Sequence, residues 1–166
     1  REFLGENARC VIQDPQLGTA HAVQQAESAL RGQTDLVLVA YADMPLLRPE
    51  TIKKLVETQE VNQGPLSMLT VNADDPRGFG RVIRGADGNV QAIVEEPAAT
   101  GDQLSIHELN VGAYCFSAGW LWDALHQIKV SPKGEYYLTD MVALAVQAGL
   151  TVQALVSNDL VETIGI

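Results

Sequence analysis

Asp43 follows directly on a short apolar run, Leu36-Val37-Leu38-Val39-Ala40-Tyr41, and precedes Met44-Pro45-Leu46. Such a run, bounded by polar residues, has the composition of a strand covered on both faces by helices, so the carboxylate falls near the strand's carboxyl end. Open α/β sheets bind ligands there, and a carboxylate so placed can ligate Mg²⁺. It can equally cap the turn into a helix opening at Pro49. A second candidate is the Gly18-Thr19 step, where a helical stretch begins. Glycine lets a ligand approach the backbone, and free amides at a helix start suit anionic or carbonyl groups. The same step also serves as an ordinary turn and cap.

The elements that would position these residues alternate. Arg9-Cys10-Val11-Ile12 reads as a short strand, and Ala20 to Leu30 as a helix stopped at Gly32. The Asp43 strand comes next, then a helix opening on Pro49 with Ile52, Leu55 and Val56 on its apolar face, then a strand from Leu66 to Val71. This order predicts an α/β fold with a Rossmann-like, mostly parallel sheet and flanking helices. Gly80 to Arg84 and Asn89 to Glu95 flank Asp87-Gly88 and predict a β-hairpin subregion. Pro97 to His107 has the composition of a mobile surface connector. Leu109 to Phe116 returns to strand, followed by helices from Trp120 to Ile128, capped by Ser117, and from Met141 to Ala148, capped by Thr139-Asp140. A last strand runs from Thr151 to Val156.

The chain has 166 residues, 46% of them hydrophobic and spread throughout, enough for one domain with a sizeable core. No apolar run approaches the roughly 20 residues of a membrane span, and no signal peptide opens the sequence, so a cytoplasmic location without membrane association is expected. Asp and Glu number 21 against 11 Lys and Arg, which argues against nucleic acid as a partner. Cys10 and Cys115 are far apart in apolar stretches and read as two buried, reduced thiols. His21, His107 and His126 are scattered, which disfavours a zinc site.

Six segments occur in a fixed order: Gln13 to Ala22, Tyr41-Ala42-Asp43-Met44-Pro45-Leu46, Gly78-Phe79-Gly80-Arg81-Val82, Ile93-Val94-Glu95-Glu96, Glu108-Leu109-Asn110-Val111-Gly112 and Gly134-Glu135-Tyr136-Tyr137-Leu138-Thr139-Asp140. The series resembles the sugar-1-phosphate nucleotidyltransferases, with the nucleotide-diphospho-sugar transferase type of fold, and within them the bacterial N-acetylglucosamine-1-phosphate uridyltransferase branch. The resemblance implies that Gln13, Gly18 and Thr19 bind uracil and that Asp43 ligates Mg²⁺. It implies that Gly80, Glu95 and Asn110 hold the sugar phosphate, with Tyr137 and Thr139 lining the acetamido-sugar side. Each position also has a plain structural role open to it: a turn at Gly80, a solvent-facing Glu95, backbone satisfaction by Asn110, a helix cap at Thr139. Arg81 reads as a surface cation of the hairpin, and His21 as a packed or hydrogen-bonded helix residue rather than a general base.

The implied substrates are UTP and N-acetylglucosamine-1-phosphate, giving UDP-N-acetylglucosamine, a peptidoglycan precursor, and pyrophosphate. The sugar-phosphate oxygen would attack the α-phosphorus in line, with catalysis by positioning and charge neutralisation. The family pattern opens with a glycine-rich triphosphate loop and continues past Glu162 to Ile166 into an asparagine metal ligand, neither of which is in this chain. The expectation is a single truncated domain, weak in metal binding and impaired alone, that forms a homo-oligomer or takes a complementing chain. Other readings are a nucleotidyltransferase of different nucleotide or sugar, or a non-catalytic module that binds a nucleotide sugar or a partner.

Overall fold

The computed structural model describes residues 8–76 and 78–163. In chain order the elements are α1 (Thr19–Gln24), α2 (Glu27–Leu30), β1 (Leu36–Ala40), α3 (Pro49–Val61), β2 (Leu66–Asn72), β3 (Arg81–Arg84), β4 (Val90–Val94), α4 (Gly101–Leu104), β5 (Glu108–Ser117), α5 (Ala118–Leu125), α6 (Asp140–Gln147) and β6 (Val152–Ser157). Residues 1–7 and 164–166, on which the expectations about the chain ends fall, lie outside the described set.

The sheet is built around β5, whose alternating residues feed two cores. Leu109, Val111, Ala113 and Cys115 pack with Leu55 of α3 and with Leu69 and Val71 of β2. Tyr114 and Phe116 face the opposite way, into a cluster that contains Ala20 of α1, Leu121 and Trp122 of α5, and Met141 and Val142 of α6. This period of two, with apolar residues on both faces, is what a strand between helical layers requires. The α/β architecture with flanking helices and a β3–β4 hairpin is therefore as expected.

The ladders are mixed. The expected mostly parallel sheet is not found: among the described residues only β2 and β6 pair in parallel, while β5, inserted from later in the chain, runs antiparallel to β1, β2 and β3. One edge of β5 is taken by β2; the other is divided, with β3 at Leu109 and β1 from Ala113 to Ser117. The carboxyl end of β1 and the amino end of β3 thus face each other over Asn110 to Gly112. The β2–β5 register shifts opposite this gap, between Met68 and Thr70, where Gly112 adopts φ 83°. A bulge of this kind re-aims side chains, and the left-handed backbone favours glycine.

Several local expectations are corrected. Arg9 to Ile12 forms no strand: it has no ladder partner among the described residues, and Ile12 is 73% exposed. The expected helix from Ala20 to Leu30 is broken, because Gln25 and Ala26 turn with tight bonds to the Ala22 and Val23 carbonyls. β1 is not covered on both faces. It pairs only with β5 among the described residues, and Leu38 and Ala40 are exposed. The connector after Glu95 is ordered as a 3₁₀ turn, Glu96–Ala98, and α4, whose first turn carries a Thr100/Gln103 capping box. Ser117 stands at the start of α5 without a capping hydrogen bond; the Ala118 amide donates instead to the Asp35 carbonyl. Cys10 is exposed and Cys115 buried, so only one of the two thiols is enclosed.

Candidate functional site

The divided edge of β5 opens into a cleft of about 190 Å³. Tyr41, Asp43 and Met44 reach it from the end of β1, Gly78, Phe79 and Gly80 from the approach to β3, and Glu95 from the end of β4. Asn110 and Gly112 form its floor, and Thr163 closes one side. A second cleft of about 430 Å³ adjoins it and shares Tyr41 and Glu95; Thr19, Pro97, Ala98, Lys133 and Tyr137 are among its other walls.

Asn110 is 7% exposed, and its side-chain oxygen accepts from the Tyr114 hydroxyl at 3.0 Å and the Gly112 amide at 3.3 Å. With the oxygen so held, the amide nitrogen remains as a donor in the cleft. Its backbone N–H donates to the Gly80 carbonyl, which ties the floor to the β3 approach. A side chain at Gly80 would collide with Ile93, its Cβ only 2.8 Å from Cγ2, and would crowd the Glu95 carboxylate. Glu95 is held from the other side, where the Thr139 hydroxyl donates to it at 3.1 Å. Thr139 opens α6 but makes no capping bond, so its side chain serves Glu95 instead.

Gly18 and Thr19 are laced to the 136–138 segment. The Tyr136 amide donates to the Leu17 carbonyl, the Ala20 amide to the Tyr136 carbonyl, and the Leu138 amide to the Thr19 hydroxyl at 2.9 Å. A Cβ at Gly18 would lie 2.6 Å from the Tyr136 carbonyl oxygen, which excludes any other residue there. Gln13 donates to the Gly18 carbonyl at 2.9 Å and contacts His21 Nδ1 at 3.2 Å, bracing this turn.

Asp43 is exposed on the cleft rim, with no hydrogen-bond or ion-pair partner among the described residues. Burial pushes the Tyr41 hydroxyl up, against hydrogen bonds with Thr19 and Tyr114, and the nearby Glu95 and Asp43 charges add to the rise. The Tyr137 hydroxyl is also raised, chiefly by its hydrogen bond to Glu135. No cluster of three metal-ligating side chains exists among the described residues. A lone exposed carboxylate still suits a hard cation that draws its remaining ligands from phosphate oxygens and water, as Mg²⁺ does.

Of the residues singled out in the sequence, Thr19, Asp43, Gly80, Glu95, Asn110 and Tyr137 line the two clefts, and Thr139 joins them through Glu95. Gln13 and Gly18 brace the start of α1 and line neither. Arg81 is not a surface cation: it is 2% exposed and pairs with Glu96 at 3.0 Å, because β3 turns it inward beside the cleft loop. Sequence reasoning gave Tyr41 and Thr163 no role, although Tyr41 walls both clefts. Its place two residues before Asp43, at the same strand end, was the available signal.

A family profile described as Nucleotidyl transferase matches residues 4–160. Proteins named Bifunctional protein GlmU are similar over the whole chain: 42% identical in Exiguobacterium sp. strain AT1b and 43% in Shouchella clausii, each match covering 100% of this chain and 37% of the relative. The chain thus spans a little over a third of the length of these curated relatives. Among solved structures, a candidate glucose-1-phosphate thymidylyltransferase from Bacillus anthracis, in complex with sucrose, superposes with a TM-score of 0.74 at 20% identity. That match covers 95% of this chain and 62% of the other, and at such identity it establishes the fold. By the extent of the profile match, this chain belongs to the nucleotidyl transferase family.

Proposed function

We propose that this domain carries the nucleotide and sugar-phosphate sites of a cytoplasmic uridyltransferase that joins UTP and N-acetylglucosamine-1-phosphate, releasing pyrophosphate and making a peptidoglycan precursor. The observation that supports this best is the convergence of Asp43, Gly80, Glu95 and Asn110 on one divided strand edge, with Thr19 and Tyr137 in the adjoining cleft.

Asn110 offers its amide nitrogen to the sugar phosphate, and Gly80 leaves the phosphate room against the backbone. Glu95, aimed by Thr139, accepts from sugar hydroxyls, and Tyr137 packs against the acetamido side. Thr19, with Gly18 and Gln13 behind it, presents the uracil-reading turn. A phosphate monoester is already a nucleophile, so these residues need only align it and exclude water. Mg²⁺, when bound with Asp43 as its protein ligand, supplies neutralisation of triphosphate charge.

Calorimetry of the 166-residue chain with UDP-N-acetylglucosamine, beside an assay of pyrophosphate release from UTP and N-acetylglucosamine-1-phosphate, tests the proposal. Binding that weakens in Asn110→Ala and Glu95→Gln is expected. Competition by dTTP, CTP or GTP equal to that of UTP would overturn the uridine assignment, and binding without turnover would favour a nucleotide-sugar-binding module.

A further inference from the structure

Glu162 is 4% exposed and takes no part in the chemistry above. Both of its oxygens are engaged: Oε1 accepts from the Ser157 hydroxyl at 2.7 Å, and Oε2 from the Thr51 hydroxyl at 2.7 Å and the Arg48 amide at 3.4 Å. Arg48 is the N-cap of α3, so this carboxylate fills the anion-attracting start of a 13-residue helix. The cleft beside it, lined by Arg48, Thr51, Lys54 and Asp159, therefore already holds an internal anion.

The position of this carboxylate matters more than its capping. Arg48 ends the segment that begins at Asp43, and Thr163, directly after Glu162, is 1% exposed and walls the Asp43 cleft. One carboxylate thus holds both the base of the Asp43 segment and the residue across from it. The short 3₁₀ turn Val161–Thr163 and the Arg48–Asp159 ion pair brace the same junction.

We infer that Glu162 is a positioning residue: it fixes the spacing between the Asp43 segment and Thr163, and so sets the width of the cleft in which a metal-bound phosphate would sit. A buried carboxylate with three donors is costly to leave half-satisfied, so removing it releases both walls together. The ligand part of this inference rests on the proposed function; the geometric part does not.

Amide hydrogen exchange and calorimetry with UDP-N-acetylglucosamine and Mg²⁺ are measured on the wild-type chain, Glu162→Ala, Glu162→Gln and Ile128→Ala, whose side chain belongs to the other core cluster. Exchange is expected to rise in Asp43 to Leu47 and at Thr163 together in Glu162→Ala, to recover in Glu162→Gln, and to stay unchanged in Ile128→Ala. Affinity should fall about tenfold in Glu162→Ala at temperatures where it remains folded, the low end of losses when an orienting group is removed. Unchanged exchange around Asp43 would overturn the inference, as would an equal rise in Ile128→Ala. Absence of ligand binding by the wild-type chain would instead overturn the proposed function, and the exchange result would still decide the role of Glu162. If Glu162→Ala fails to fold, Thr51→Val carries the same exchange test.

Discussion

The ring of Tyr41 lies flat against Gly112: a Cβ there would sit 2.5 Å from Tyr41 Cδ2 and 2.7 Å from Cε2. Gly112 also holds φ 83°, a conformation costly for any residue with a side chain. The two requirements coincide at the bulge that divides the β5 edge. Gly112→Ala is therefore expected to lose about 2–4 kcal/mol through strain and overpacking. Urea unfolding checks the magnitude, and a loss below about 0.5 kcal/mol, typical of surface changes, would mean that the ring yields without cost.

The Thr139 to Glu95 bond links the start of α6 to the end of β4, 44 residues apart in sequence. Thr139 is 5% exposed, so Thr139→Val keeps the shape and removes only the hydroxyl. Stability should fall by about 1 kcal/mol, the usual net worth of such a bond. Nucleotide-sugar affinity should fall further than stability accounts for, because Glu95 loses its aim; Thr139→Ser should restore it. Calorimetry on the three proteins decides the matter, and equal affinities would show that Glu95 needs no support.

Arg81 is a buried cation held by the Phe79 carbonyl and the Glu96 carboxylate, with its side chain 3% exposed. Its Nε has no hydrogen-bond partner among the described residues, so the site is imperfectly compensated there. Glu96 also accepts from the Gly78 amide at 2.9 Å, which draws the whole 78–80 approach to the cleft into the cluster. Arg81→Met should destabilise the chain by about 2 kcal/mol, less than the full loss of a buried pair because Glu96 keeps contact with water. Arg81→Lys should not rescue it, since a single ammonium cannot span both acceptors as the guanidinium fork does. Thermal melts of the three proteins check both statements.

Most of the elements were legible in the sequence because their signals are local. Alternating or continuous apolar runs mark β2, β5 and β6, Pro49 opens α3, and Asp87-Gly88 marks the hairpin. Ladder direction was not legible, because β5 inserts between β1 and β2 from much later in the chain. The other edge of β1 is unpaired among the described residues, and Leu38 is exposed although pattern alone assigns it to the interior. At the site, Asp43, Gly80, Glu95 and Asn110 were legible by type and order. The Tyr41 wall, the inward turn of Arg81 and the Thr139 to Glu95 bond depend on which strand ends meet, and no spacing along the chain encodes that.

Glu108 carries the clearest pH dependence. Burial alone would raise its carboxyl, but hydrogen bonds from Arg84 and Thr70, with the Arg84 charge, hold it below the ordinary carboxylate value. The Arg84 fork is bidentate, with Nε and Nη2 each 2.6 Å from a carboxylate oxygen, and the Thr70 hydroxyl adds a third donor at 2.9 Å. A carboxyl whose value is depressed on folding contributes stability above its unfolded value and loses it as pH falls through the folded one. The wild-type chain should therefore be stabilised relative to Glu108→Gln at neutral pH, and the difference should shrink once pH drops below the ordinary carboxylate value. Urea midpoints for both proteins, taken stepwise from pH 7 into the acid range, measure this. A difference that stayed constant with pH would mean that Glu108 contributes by packing and neutral hydrogen bonding alone.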